Sequence, residues 1–499
     1  MSGAIPQNED AAYEPATGGP LGKKGIGWAI FEFARNPYYN AVVISAFAAY
    51  FAAEVIGDPV RGQALVARTI LIAGLICAIA MPVLGAMIDI GGRRKPLAFI
   101  SLGILAITSV LLWFIQPGVP GAVVFGMALM VIGYVFYTVA ELVHNSMLNM
   151  SGEPKALPYI SGLGLALGNL GGTTVLLLLL FLFALPGDPN GPLADSAPLF
   201  GLDRATFEHQ RITGPLVGLW LCVFIIPFFL FMPDIKQTPD RTWKQATRSI
   251  FGRENAQEGT SRRGVLGLIK HGIGHVRDMF KEHPNVMRYL LGRMIYADGI
   301  GALLTIGTVF VSGLLGWSLV EVLAVGVLGT ISAVCGALTA GFFDRRLGPK
   351  KSLMMELSGL IIILTLQLSI SKEAILFGLI PSGDPVWGGG IFTSLSDVTY
   401  VALLIPSSFL LGACISSSRY MLVHIAPPAQ IGQFYGFYAM AGSVTIWLGP
   451  GLVDLMTTLS GDQRIGVSGL GFLFIAGLWI ISGVKADKTP EHLKENPTL

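Results

Sequence analysis

Charged side chains are scarce in this sequence: 33 Lys+Arg and 31 Asp+Glu among 499 residues, 13% of the chain, against roughly 25% in an ordinary soluble domain. The near-balanced formal charge of +2 excludes a nucleic-acid partner, which needs a basic face to meet phosphate. Cysteine is sparse too. Cys77, Cys222, Cys335 and Cys414 each sit in an apolar run and read as small buried hydrophobes, not as a disulfide or metal framework. A His-Glu-x-x-His helix, a Ser/His/Asp set on loops, a Cys/His metal spacing and a Walker loop are all missing, so no enzyme chemistry, metal or cofactor is expected. The first twenty residues, MSGAIPQNEDAAYEPATGGP, lack the basic start and apolar core of a secretory peptide and are expected to stay attached.

Apolar residues are abundant: 53% of the chain is hydrophobic and its mean hydropathy is +0.65. A soluble core has no room for that much apolar surface, whereas a bilayer takes about 20 such residues per crossing. Apolar stretches bounded by Gly, Pro and charge clusters fall at 26–53, 64–88, 97–116, 121–148, 156–185, 213–232, 286–314, 319–343, 351–370, 398–425, 433–458 and 465–484, predicting twelve spans. Lys23, Lys24, Arg93, Arg94, Lys95, Lys155, the basic stretch 233–285, Arg345, Arg346, Lys350, Lys351, Lys485 and Lys488 fall on one side. Only Arg61, Arg204, Arg211, Lys372 and Arg464 fall on the other. The positive-inside rule then predicts cytoplasmic termini, as an even span count also requires.

The polar stretch Asp234 to His283 separates six spans from six. The predicted organisation is a disordered cytoplasmic tail over 1–24, a first half over 25–232, a cytoplasmic linker over 233–285, a second half over 286–484 and a cytoplasmic tail over 485–499. Within the linker, Val265, Leu268, Ile269, Ile273, Val276, Met279 and Phe280 recur at helical spacing opposite Lys270, Arg277 and Lys281. Such a helix suits either the anionic inner leaflet or the underside of the bundle.

GAMIDIGGRRKP (Gly85 to Pro96) and AGFFDRRLGPKK (Ala340 to Lys351) occupy the same place in each half. Each sets a carboxylate, Asp89 or Asp344, at a helix end, then a glycine turn (Gly92, Gly348) and a basic cluster. Gly85, Asp89, Gly92, Arg93 and Arg94, with Asp344 and Arg345, are therefore the expected gating set, whose pairs lock one state and break in the other. The loop resembles the cytoplasmic motif of the major facilitator superfamily, with Ile90 where a basic residue is usual, and with Ala340 and one extra residue before Gly348 in the second copy. The expected fold is an all-α membrane protein, twelve transmembrane helices in two pseudo-symmetric six-helix halves.

GWAIFEFARNPYYN (Gly27 to Asn40), ISGLGLALGNLGG (Ile160 to Gly172), RYLLGRMIYADGIGALLTIG in the seventh span and SSSRYMLVHIAPPAQIGQFYGFYAMAGSVTIWLGP (Ser416 to Pro450) together resemble the vacuole effluxer branch of that superfamily, whose named members export amino acids from the vacuole after autophagy. The resemblance implies a Trp-x-x-aromatic-Asp-aromatic-Ala-Asn-Ser pattern, matched by Trp28, Phe31, Glu32, Phe33 and Ala34 with Glu for Asp. Arg35 and Asn36 replace the family's Asn and Ser. Tyr296, Asp298 and Gly299 keep the seventh-span pattern, and Ser443 stands where the family often has lysine. Losing one cation and gaining Arg35 implies a rearranged charge network, so the amino-acid assignment does not simply carry over.

Charges inside spans cost about 2.5–3.5 kcal/mol each at mid-bilayer and need partners or water. Glu32 and Arg35, spaced i, i+3, share a face and neutralise each other, as a structural ion pair or as part of a substrate site. Asn36 and Tyr38 follow on the same helix as candidates. Asp298 has no cation within four positions, Arg293 being five residues earlier; such a carboxylate can carry a proton, the alternative being a buried structural hydrogen bond. Glu141 and Asn145, with Tyr134 and Tyr137, are candidates to line the cavity of the first half, whereas His144 reads as a solvated histidine near the helix end. Glu356, Glu321 and Asp454 read as solvated. Arg419 after Ser416, Ser417 and Ser418 resembles the family's Ser-Arg pair and would hold a carboxylate or latch the gate. Gly162, Gly164, Gly168, Gly171 and Gly172 read as close helix packing, not a nucleotide loop, with Asn169 among them aimed at the cavity.

The expected function is an ion-coupled secondary transporter of a small polar solute, an amino acid or other zwitterion. The expected partners are a small-molecule substrate, a coupling ion (H+ or Na+) and the lipid bilayer. A monomer in a bacterial-type inner membrane is expected. Arg293, Tyr296 and Asp298 from the later half complete the candidate site. The alternative is a non-transporting scaffold or lipid-handling member of the same fold.

Overall fold

The computed structural model describes residues 22–91, 93–153, 156–188, 193–234, 274, 276–427, 434, 437–438 and 445–486. Eleven helices among them are long and apolar enough to cross a membrane. In chain order these spans are Lys23–Ile56, Pro59–Gly85, Lys95–Phe114, Ala122–Ser146, Tyr159–Ala184, Glu208–Phe231, Pro284–Leu315, Leu319–Leu347, Pro349–Leu368, Leu395–Ile425 and Gln463–Ser482. Each overlaps an expected stretch. The remaining expected span, 433–458, is described only in part, through the helix Leu448–Ser460. Most of the linker and its expected amphipathic helix, residues 1–21 and 487–499 of the terminal tails, Gly92, Ser443 and the side chain of Asp89 lie outside the described residues, while Lys23 and Lys24 of the expected tail begin the first helix.

Local chemistry explains the interruptions and ends. Pro37 lies inside the first span, where it has no N–H to donate, and the next residues, Tyr38–Ile44, follow a wider π-helical path. A second π-helical turn, Phe51–Ile56, follows the short helix Ala46–Tyr50. Such turns rotate the side chains that follow them and concentrate at functional sites. Ser318 with Glu321, and Ser394 with Asp397, form reciprocal capping boxes at the starts of the eighth and tenth spans. Glu321 is thus a cap and not simply a solvated charge. Gly348 has φ +82, the turn expected after Asp344 and one that favours glycine. A two-residue β-hairpin pairs Ala374–Ile375 with Ile380–Pro381 in the loop between the ninth and tenth spans.

Small residues bring the first and fifth spans together. A Cβ on Gly164 would strike the Trp28 ring, one on Gly168 would lie 3.2 Å from the Cβ of Glu32, and one on Gly171 would overlap the Phe33 carbonyl. Only Gly162 of the expected set faces open space. Outward faces carry Ile79, Val124, Leu338, Phe472 and Trp479, all exposed, as a lipid-facing surface requires. Cys77 and Cys414 are buried, but Cys222 and Cys335 are exposed. This corrects the reading of all four as buried: hydropathy marks an apolar run but not which of its faces points outward.

Hydrogen bonds between the earlier and later spans cluster towards the end of the bundle opposite the basic loops. Gln63 donates to Thr457 Oγ1 at 2.9 Å and to the Gln463 carbonyl at 3.0 Å, and Gln463 donates back to the Pro59 carbonyl at 2.8 Å. Arg68 pairs with Asp454 nearby, and Thr308 donates to the Ile44 carbonyl. Asp454 is therefore 7% exposed and engaged, correcting its reading as solvated.

Candidate functional site

The site in the earlier half is built around Arg35. As expected from the i, i+3 spacing, its Nη2 donates to Glu32 Oε2 at 2.8 Å and Oε1 at 3.1 Å. Its Nη1 reaches the fourth span, donating to Glu141 Oε2 and to the Tyr137 carbonyl, both at 3.2 Å. The guanidinium lies 4.0 Å above the Tyr137 ring centroid, a cation–π arrangement that suits a desolvated arginine. One cation thus faces two carboxylates, and the Glu141 side chain is 45% exposed against 4% for Arg35. Glu141 is the most exposed member of the cluster.

His144 completes this cluster and corrects the expectation of a solvated ring: it is fully buried. Its ring stacks 4.0 Å from Trp28 and 4.1 Å from Phe31. Nε2 donates to the Trp28 carbonyl at 2.8 Å, and Trp28 Nε1 returns a bond to the His144 carbonyl at 3.0 Å. Nδ1 lies 3.2 Å from Glu32 Oε1. Position near a helix end suggests water, but the aromatic pair of the first span closes over the ring.

Tyr and Asn side chains line the same region. Tyr137 donates to Asn36 Oδ1 at 3.2 Å, Tyr39 stacks on Tyr137, and buried Tyr38 donates to the Met130 carbonyl at 3.4 Å. Asn169 is half-buried and Asn145 is exposed; the structure ties neither of them to the Arg35 cluster.

The later half brings together a different set. Arg293 lies 3.4 Å over the Tyr438 ring and donates to the Tyr438 carbonyl at 2.5 Å. Tyr296 shares a 2.7 Å hydrogen bond with Ser418 Oγ, and Tyr289 donates to the Ser418 carbonyl. Asp298, 7% exposed, accepts the Gly449 N–H at 2.6 Å. That N–H belongs to the first turn of the helix Leu448–Ser460, whose free N–H groups and dipole favour an anion. Arg419 is exposed and stands apart from these residues.

The gating loops differ in what is visible. Arg94 N–H donates to Asp234 Oδ1 at 2.8 Å and its guanidinium donates to the Ser146 carbonyl at the end of the fourth span. Lys95 donates to the Phe229 carbonyl at 2.8 Å, near the end of the sixth. Two members of the basic cluster thus meet carbonyls near helix C-termini, while Arg93 is exposed and a Cβ at Gly85 would meet open space. In the second copy Arg345 turns back onto the Gly341 carbonyl at 3.0 Å. Asp344 is 4% exposed, and Glu356, expected to be solvated, is 1% exposed and accepts from Ser417 at 2.9 Å. A helix-end position is misleading for Glu356 because serines of its own and the tenth span supply the hydrogen bonds that water would otherwise give.

Comparison with known proteins agrees with this architecture. A D-xylose–proton symporter superposes with TM-score 0.62 at 13% identity, covering 93% of this chain and 99% of that one. The nucleoside transporter NupG gives 0.56 at 14% identity over 92% of this chain and 98% of its own. An uncharacterized MFS-type transporter of Bacillus subtilis, YxiO, is 22% identical over 96% of this chain and 98% of its own length. Autophagy-related protein 22 of Cryptococcus neoformans is 22% identical over 64% of this chain and 48% of its own, so that match spans about half of the relative. The fold is that of the major facilitator transporters, and the model of the "Vacuole effluxer Atg22 like" family matches residues 52–493; the chain belongs to that family.

Proposed function

We propose that this transporter carries a small zwitterion, of which a neutral amino acid is the simplest case, by alternating access coupled to proton movement. The observation that carries the reading is the charge arrangement at Arg35: two carboxylates against one guanidinium, with Glu141 the exposed one. Glu141, half-exposed beside that guanidinium, offers its carboxylate to an ammonium group. Arg293 on the seventh span supplies the matching cation for a carboxylate, held in orientation by Tyr438. A sugar or nucleoside brings no charged group to meet either the Glu141 carboxylate or the Arg293 guanidinium, whereas a zwitterion brings one for each. The family description, a vacuole effluxer, supports transport of a solute.

Asp298 is the coupling residue in this reading. When ionised it caps the helix Leu448–Ser460 through Gly449; when protonated that cap weakens, and the helix can move against the second span. The halves 25–232 and 286–484 rock about the site, with the termini in the cytoplasm and the protein in a bacterial-type inner membrane. A panel of zwitterions, sugars and nucleosides screened by thermal shift in detergent tests the substrate class, since a ligand at about 100 times its Kd adds roughly 2.7 kcal/mol of apparent stability. Stabilisation by neutral amino acids, lost in Glu141→Gln, is expected; stabilisation by sugars or nucleosides alone would refute the reading.

A further inference from the structure

At the basic end of the eighth, ninth and tenth spans lies a second pair of buried carboxylates that the transport site does not use. Asp344 and Glu356 are 4% and 1% exposed. Ser417 Oγ donates to Glu356 Oε1 at 2.9 Å, and Ser352 Oγ donates to the same oxygen at 3.3 Å. The same two hydroxyls also interact with the Asp344 carboxylate. A serine hydroxyl carries one proton. With both protons given to Glu356, an ionised Asp344 would face oxygen lone pairs. Two more acceptors, Asp344 Oδ1 and Glu356 Oε2, are buried with no hydrogen-bond donor among the described residues, and the carboxylates are close enough to interact electrostatically. Two bare negative charges do not both persist in such surroundings.

We propose that Asp344 and Glu356 form a proton-binding site that holds one proton between them. A carboxylic acid on Asp344 donates to a serine hydroxyl, which donates on to the Glu356 carboxylate, so every proton in the chain has an acceptor. The cations of the surrounding elements turn elsewhere. Arg345 donates to the Gly341 carbonyl at 3.0 Å, Arg346 lies 4.1 Å over the Phe342 ring, and Lys350 donates to the Ser482 carbonyl at 2.9 Å. Arg419 and Lys351 are exposed. Cys414 of the tenth span interacts with Glu356 and with Arg293 of the seventh, and His424 is buried two turns beyond Ser417. The last span brings no charged side chain to this end. Losing the shared proton sets two like charges across three packed helices and loosens this end of the later half, which makes it sensitive to pH. The assignment rests on no assumption about the transported substrate.

Infrared difference spectroscopy on the reconstituted full chain, titrated with pH in potassium buffer, tests it. The Asp298→Asn background removes the other candidate carboxyl. A buried carboxylic-acid carbonyl band is expected, lost in both Glu356→Gln and Asp344→Asn, because each leaves a single carboxylate with hydroxyl donors and no like-charged neighbour. Ser417→Ala, a milder change, keeps the band but shifts it as a hydrogen bond is removed. A band that persists in both carboxylate variants, or that sodium abolishes at fixed pH, would overturn the proposal, the second result by making this a sodium site.

Discussion

Arg68 of the second span and Asp454 of the helix Leu448–Ser460 form a two-pronged ion pair, Nε to Oδ2 and Nη2 to Oδ1, each at 2.9 Å. The pair joins residues 386 positions apart, and Gln63, Thr457 and Gln463 extend it into a hydrogen-bonded seam between the halves. The helix that carries Asp454 is also the helix whose first turn is capped by Asp298. One short helix therefore connects the candidate coupling carboxylate to the hydrogen-bonded seam between the halves.

Asp454→Asn should open that seam. Arg68 is 42% exposed in its side chain, so the pair contributes about 1 kcal/mol, enough to shift a two-state population about fivefold. The check is the labelling rate of a cysteine at Leu71, beside Gly451, by an impermeant thiol reagent in a background lacking the native cysteines. A faster rate in Asp454→Asn is expected, and an unchanged rate would show that the pair does not hold the closed state.

Arg35→Met should be far more damaging than its removal of one ion pair suggests. It leaves Glu32, beside a buried histidine, without its guanidinium, and an uncompensated buried charge costs about 3–5 kcal/mol. The double variant Arg35→Met/Glu32→Gln should recover much of that loss. Thermal unfolding of the four members of this cycle in detergent checks it, and additive losses would mean the two side chains act independently.

These two predictions mark what is legible in the sequence. Hydropathy locates the spans because a bilayer demands long apolar runs, and the i, i+3 spacing of Glu32 and Arg35 reveals a pair one helix can make alone. Glu141, 106 residues from Arg35, is suggested only by its own local pattern; the contact itself depends on how the first and fourth spans pack. His144 and Glu356 depart from expectation for one shared reason. Position along a span gives depth, whereas burial also depends on which neighbours turn inward, here Trp28 and Phe31 for one and Ser417 for the other. The Arg68–Asp454 pair leaves no local signal, and the π-helical turns after Pro37 do not follow from the proline alone.

Gly171→Val should destabilise the first–fifth span contact. Any Cβ there overlaps the Phe33 carbonyl, and Phe33 is already fixed by a 2.9 Å bond from Trp220 Nε1 to the same carbonyl. Overpacking of this kind costs about 1–3 kcal/mol. Gly162→Val, at an open position, is the control. A lowered apparent Tm for the first and none for the second is expected; equal effects would contradict close packing as the role of these glycines.

Glu141→Gln should separate binding from folding. Its half-exposed side chain is a poor source of stability, so apparent Tm should change little, while the affinity for a zwitterion falls about tenfold or more through loss of a charge-assisted contact. Titration calorimetry or thermal shift with the amino acid that binds wild type best measures this. Unchanged affinity would move the ammonium site away from Glu141.

Gradient-driven uptake into proteoliposomes, wild type against Asp298→Asn, tests the central claim most directly. Coupling through Asp298 predicts that wild type accumulates the zwitterion when a pH gradient is imposed. The variant should lose about tenfold or more of that accumulation while still exchanging labelled for unlabelled substrate across the membrane. Accumulation by Asp298→Asn with an unchanged pH dependence would contradict it.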